Sequence, residues 1–127
     1  MPKKAMENLT ESMFYVLMAF GGKPMCGIDV VEFIETWTQG RIQMGPATLY
    51  TILGKFEKEH YIQETAVEGR KRIYQITDKG RAAYAQELDR LRTCLDDAQR
   101  LHTPQGQALL RGEEEPPTAL RPALSPT

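Results

Sequence analysis

The sequence predicts a mainly helical α+β fold in which a two-stranded hairpin follows the third helix and a longer helix follows the hairpin. A helix with one apolar face begins at Gly45-Pro46, where proline suits the first helical position. Two β-prone runs, residues 61–67 and 73–76, lie on either side of a Glu68-Gly69 turn. Beyond Thr77, apolar residues recur at heptad spacing. A chain of 127 residues has room for one small domain of this kind and a tail.

The first two predicted helices should supply much of the core. Either Asn8 together with Glu11, or Thr10 alone, can cap the first helix. Its broad apolar face consists of Met13, Phe14, Leu17, Met18 and Phe20. The second helix is expected over residues 27–37, again with apolar residues at helical spacing. At its end, Trp37 either covers the core, which is the expected role, or lines a ligand pocket.

The third helix, within residues 44–57, has the pattern of a DNA recognition helix. One face carries an apolar stripe formed by Leu49, Ile52, Leu53 and Phe56. The candidate DNA-binding residues lie off this stripe, and they are Thr48, Tyr50, Thr51 and Lys55. Hydroxyl groups and amines of this kind suit phosphates and base edges.

Three consecutive cations, Arg70, Lys71 and Arg72, follow the turn of the hairpin. Taken alone, a charge run of this kind is as consistent with a solvated surface as with a contact. Beside a recognition helix it indicates a wing. In a winged helix-turn-helix the helix enters the major groove, while the hairpin contacts the DNA backbone or the minor groove. We therefore expect these three residues to bind DNA.

The order and spacing of several motifs resemble the PadR family of bacterial transcriptional regulators. The similar segments are Leu17 to Gly21, Pro24 to Gly27, Gly45 to Tyr50, Leu53 to Glu57, the basic wing, and Tyr74 to Arg81. The resemblance extends from about Thr10 to Arg92, and it implies a DNA-binding regulator that dimerises through its last helix. One departure is Ile28, because members commonly carry tyrosine at this position. If that tyrosine helps to hold a phosphate in relatives, Ile28 cannot do so.

A last helix is expected over residues 78–103, with Thr77 as its cap. A short heptad seam runs along it, at Tyr84, Leu88, Leu91, Leu95, Ala98 and His102. We interpret this seam as a homodimer interface formed mainly by Tyr84, Leu88, Leu91 and Leu95. The alternative is an amphipathic helix packed on its own domain. Residues 1–77 would then form the winged helix-turn-helix domain, and residues 104–127 a disordered tail rich in proline and acidic residues.

The total charge does not indicate DNA binding, but its distribution does. The net charge is −1 and the pI is about 6.1, whereas a DNA-binding domain often has a pI above about 9. From Arg41 to Arg81, however, eight basic and five acidic residues give the segment a net charge of +3. The positive charge therefore belongs to the predicted DNA-reading half of the chain.

No motif for catalysis, a cofactor or a metal is recognisable. The two histidines, His60 and His102, do not have zinc-ligand spacing, and Ser12 has no partners in triad order. Cys26 and Cys94 form neither a disulfide framework nor a metal motif, so they are expected to be small hydrophobic residues, with thiol sensing as the alternative. We expect neither an enzyme nor a cofactor-binding protein.

The apolar run over residues 13–20 is too short to cross a membrane and has no cleavage site after it, which predicts a soluble protein. Because the two cysteines form no disulfide framework, we expect this protein in the reducing cytoplasm. Together these patterns predict a homodimeric regulator, most simply a repressor bound to a palindromic operator in double-stranded DNA. An effector or signal, for which a small molecule is one candidate, would release it. The alternative is a winged helix that binds another protein and no DNA. The +3 segment favours DNA, while the acidic total and Ile28 favour the alternative.

Overall fold

The computed structural model describes residues 8–113. Its elements, in chain order, are α1 (Glu11–Gly22), α2 (Gly27–Trp37), α3 (Pro46–Lys58), β1 (Ile62–Glu68), β2 (Lys71–Ile76), α4 (Asp78–Leu101) and α5 (Pro104–Leu110). This order confirms the predicted fold class, a mainly helical winged helix-turn-helix with a helix after the wing. No helix among the described residues combines the length and apolar character needed to cross a membrane.

Helices α1 and α4 begin at threonines whose hydroxyls accept from a free N–H of the first turn, whereas α3 begins at a glycine and a proline. Thr10 caps α1, since its hydroxyl accepts from the Met13 N–H at 3.1 Å and the Met13 sulfur accepts from the Thr10 N–H. Gly45 precedes α3, and a proline occupies the first turn, as predicted. At α4, the Thr77 hydroxyl accepts from the Gly80 N–H at 3.0 Å. The same hydroxyl lies 2.6 Å from the His60 carbonyl oxygen, so it also joins α4 to the base of the wing.

The wing is an antiparallel hairpin whose turn is short. Its pairing runs from Ile62 opposite Ile76 to Glu68 opposite Lys71, with an irregularity at Thr65. Gly69 and Arg70 form the turn. Gly69 has φ +65°, a left-handed conformation that glycine adopts without steric cost.

A third short extended segment pairs with the wing, which the sequence analysis did not predict. Met25, just before α2, and Tyr74 in β2 exchange two backbone hydrogen bonds, each 3.0 Å long. The start of α2 is thereby held against the inner strand of the hairpin. A single bridging residue has no periodicity, so no local sequence pattern could have revealed it.

The core lies between α1, α2, α3 and the base of the wing. The largest completely buried side chains are Phe20, Phe56, Leu17, Ile34, Val16 and Val30. Trp37 is an exception to the expected packing, because 67% of it is exposed and its ring stacks on Phe33 at 5.6 Å. The expectation that it covers the core was therefore wrong. Trp37 is the last residue of α2, and it follows Ile34, the last buried residue of this helix.

The chain divides into two compact units, and the division falls inside α4, between Leu88 and Asp89. In the second unit, the prediction of a disordered tail from residue 104 was wrong for residues 104–110, which form α5. Thr103 caps this helix by accepting from the Gly106 N–H at 3.0 Å. The proline and glycine that suggested disorder have structural roles: Pro104 begins the helix, and Gly106 packs closely against the Arg100 carbonyl. Residues 114–127 lie outside the described residues.

Candidate nucleic-acid interface

Helix α3 presents all four predicted DNA-binding residues to solvent. Its buried side chains are Leu49, Ile52, Leu53 and Phe56, the predicted apolar stripe. At about 100° of rotation per residue, Thr48 and Tyr50 lie about 160° apart around the helix. They therefore mark the two flanks of the exposed face. Thr51 lies between them, and Lys55 lies almost in line with Thr48.

On one flank, Tyr50 lies next to the wing. A cavity of 340 Å³ separates them, and it is lined by Cys26, Gly27, Ile28, Tyr50, Leu53, Arg70, Lys71, Arg72 and Tyr74. The structure thus brings Tyr50 together with all three predicted wing cations, although they are about 20 residues apart in the sequence. Tyr50 is 61% exposed, and its phenol borders a space rimmed by positive charge.

The wing cations are exposed, and they differ in position. Arg70 lies in the turn, whereas Lys71 and Arg72 lie on β2. Tyr74 and the carboxylate of Glu64, whose Oε1 is 3.9 Å from the Arg72 Nε, both raise the pKa of Arg72, Tyr74 more strongly. Arg72 is therefore firmly cationic, while its guanidinium remains open to solvent.

On the other flank, Thr48 and Lys55 lie next to the amino end of α1. They share a groove of 370 Å³ with Thr10, Ser12, Met13, Ala47, Thr51 and Ile52. Sequence reasoning missed Ser12 as a residue of this surface, because it is 36 residues from Thr48 and belongs to a helix predicted only as core. The predicted reading residues are therefore divided between two surfaces.

Arg41, in the loop before α3, is held by α1. Its Nη1 donates to Glu11 Oε2 at 3.0 Å, and its Nη2 donates to the Tyr15 hydroxyl at 2.9 Å. Both partners, Glu11 first, raise the pKa of Arg41. This arrangement gives Arg41 a role in positioning the loop against α1.

Cys26 and Ile28 stand at the start of α2, facing the wing cavity. Cys26 is buried, and its thiol donates to Asp29 Oδ2 at 3.3 Å. Ile28 is 58% exposed and offers the cavity no polar group. Cys94, in contrast, is exposed on α4. Within residues 8–113, no group of three or more histidine, cysteine or acidic side chains is arranged to hold a metal ion.

The four predicted dimer residues lie in different surroundings. In the first unit, Tyr84 and Leu88 are half-buried and pack against the core. In the second unit, Leu91 and Leu95 are 38% and 57% exposed. An apolar pair of this kind on one helix remains available to a partner. The role of all four residues in dimerisation stays a prediction.

Several solved structures have a similar fold. A transcriptional regulator from Clostridium thermocellum matches with a TM-score of 0.63 at 20% identity, over 72% of this chain and 92% of that one. A probable transcriptional regulator from Pseudomonas aeruginosa matches with a TM-score of 0.56 at 24% identity, over 82% and 74%. A putative regulator from Thermoplasma acidophilum has a TM-score of 0.57 at 19% identity, over 70% and 87%. At these identities, the matches show a shared fold only.

Family membership rests on the sequence. No curated protein matches the chain. A family model does, over residues 16–86, which include α2, α3, the whole wing and the first turns of α4. This match covers more than half of the chain. The chain therefore belongs to the transcriptional regulator PadR-like family, whose members regulate transcription and are not enzymes, as the sequence predicted.

Proposed function

We propose that this regulator binds double-stranded DNA in a sequence-specific manner, with α3 in the major groove and the wing against the backbone. The observation that carries the proposal is the common cavity of Tyr50 and the three wing cations, Arg70, Lys71 and Arg72. A recognition helix needs phosphate contacts beside it to hold its register on the duplex. Three exposed cations next to its exposed face supply them.

We further propose that two copies act together through the seam of α4. Leu91 and Leu95 are exposed leucines on one stripe, so a second copy could bury them. Two-fold symmetry would present two α3 helices to a palindromic operator. Bound across a promoter, such a dimer would repress transcription by occlusion. An effector or signal that distorts the dimer, a small molecule for example, would release it from the DNA. We place this regulator in the cytoplasm.

A second candidate is a winged helix that binds a protein partner and no DNA. The observation in its favour is the exposed ring of Trp37, stacked on Phe33 at the end of α2. Exposed aromatic residues are common at the centres of protein interfaces. The chain's overall charge of −1 and Ile28 also favour it.

A footprint on the genomic DNA that flanks the chain's own gene tests the proposal. We expect protection of two half-sites about one helical turn apart, because a symmetric dimer places its two recognition helices at that spacing. Protection of a single half-site would reject the dimeric mechanism. If no fragment is protected at low salt, and a short mixed-sequence duplex is also not bound, DNA binding is rejected in favour of a protein-binding module.

A further inference from the structure

The groove between α1 and α3 has the composition of a phosphate site. Its polar side chains include the hydroxyls of Ser12 and Thr48 and the ammonium of Lys55. Hydroxyl and amine donors of this kind make many protein contacts to phosphate oxygens. The nearest acidic residue of α1, Glu11, is engaged by the guanidinium of Arg41 at 3.0 Å.

The place of this groove on α3 matches the geometry of a duplex. A helix in the major groove lies between two phosphodiester backbones, and the groove is about 12 Å wide. The residues opposite the buried stripe, Ala47, Thr51 and Lys58, would then face the base edges. Residues on the two flanks would face the two backbones. Tyr50 and the wing occupy one flank, and Thr48, Lys55 and Ser12 occupy the other.

We propose that Ser12, Thr48 and Lys55 form a second backbone site, which binds a phosphate of the DNA strand on the side away from the wing. This inference rests on the proposed DNA binding and deepens it. It assigns the amino end of α1 a direct role in docking. It also changes the role of Thr48, which would position α3 on the DNA backbone. Base reading would then fall to Ala47, Thr51 and Lys58, the residues opposite the buried stripe.

The test uses two variants that leave the fold intact. Ser12→Asp places a carboxylate in the first turn of α1, where a negative charge favours the helix, so stability is kept while a phosphate is repelled. Lys55→Gln removes the cation but keeps a long polar side chain on an exposed helical position. The matched controls are Gln105→Asp, at the corresponding exposed position in the first turn of α5, and Lys23→Gln, at the opposite end of α1 from Ser12.

Binding of a fluorescent, mixed-sequence duplex is measured by anisotropy over a series of KCl concentrations, because phosphate contacts do not depend on sequence. We expect Ser12→Asp to weaken binding about tenfold at low salt. We expect Lys55→Gln to lower the slope of log K against log salt by about 0.9, the value for one neutralised phosphate. Both controls should change affinity and slope much less.

If the two variants behave like their controls while the wild-type chain binds the duplex, the second backbone site is wrong and the proposed function stands. If the wild-type chain binds no duplex at any salt concentration, both fail. If Thr48→Ala changes the preference among selected operator sequences without lowering affinity for the mixed duplex, Thr48 reads a base and its assignment to the backbone is wrong.

Discussion

The ring of Tyr84 stacks on the ring of Phe14, with centroids 4.9 Å apart and planes only 6° from parallel. This contact joins the first turns of α4 to α1 inside the first unit. Tyr84 was predicted from its heptad position to face a second copy of the chain. One face of its ring is instead covered by the chain's own core, so a contribution to dimerisation could come only from the remaining half-exposed surface.

Replacing Tyr84 by alanine should therefore destabilise the monomer fold. We expect a loss of about 2 kcal/mol, less than the ~3–5 kcal/mol of a fully buried aromatic residue, because Tyr84 is only half-buried. Denaturant unfolding measures it, and Tyr84→Phe is the control, since it keeps the stacked ring. A loss that shrinks as the protein is diluted would instead assign Tyr84 mainly to the dimer, because dimerisation adds less stability at low concentration.

Gly80 should tolerate no side chain. A Cβ at this position would overlap the Tyr61 carbonyl oxygen and press on Ile76, and a backbone oxygen cannot move aside cheaply. We expect Gly80→Ala to cost about 1–3 kcal/mol. Gly54→Ala is the matched control, at an exposed position of α3 where no atom lies near the new methyl group. It should stabilise the chain by about 0.5–1 kcal/mol. Equal melting temperatures for the two variants would contradict the close packing at Gly80.

The wing prediction concerns salt dependence. Replacing Arg70, Lys71 and Arg72 together by alanine should weaken DNA binding and reduce the salt slope by about 0.9 for each phosphate that the wing no longer neutralises. The control removes the same total charge elsewhere, at Lys23, Arg90 and Arg92, all of which are exposed. Anisotropy titrations at several KCl concentrations measure both. A slope equal to that of the control would show that the wing does not contact DNA.

The seam prediction concerns the oligomeric state. Changing Leu91 and Leu95 to glutamate would place charges in the proposed apolar contact, where unpaired ions are costly. We expect the variant to sediment as a monomer and to lose operator affinity steeply, because two half-sites are no longer bound as one unit. Gln86→Glu with Thr93→Glu adds the same charge on the opposite, exposed side of α4 and should stay dimeric. A stable dimer of the leucine variant would place the interface elsewhere.

Helix α5 should protect the end of α4. The Gln107 side chain donates to the Leu101 carbonyl at 2.6 Å, and Ala108 is buried within this second unit. Truncation before residue 104 removes these contacts, whereas truncation after residue 113 keeps them. Hydrogen exchange at the last turn of α4 should therefore be faster in the shorter variant only. Equal exchange in both would show that α5 contributes nothing to the order of this turn.

The sequence by itself determined most of the local structure. The apolar stripe of α3, its Gly45-Pro46 start, the glycine turn of the wing and the Thr77 cap follow from periodicity and from conformational preferences of single residues, which act within a few positions. Family membership was also recognisable, because its motifs are short segments in a definite order.

Only the tertiary structure decided which surfaces these elements share. The bridge from Met25 to Tyr74, the stacking of Tyr84 and the groove that joins Ser12 to Thr48 all bring together residues from distant parts of the chain. Composition was misleading at Pro104 and Gly106, because a helix start and a close helix contact use the same residues as a disordered tail. Contacts of this kind depend on how elements pack, and packing is a property of the whole core that no single segment encodes.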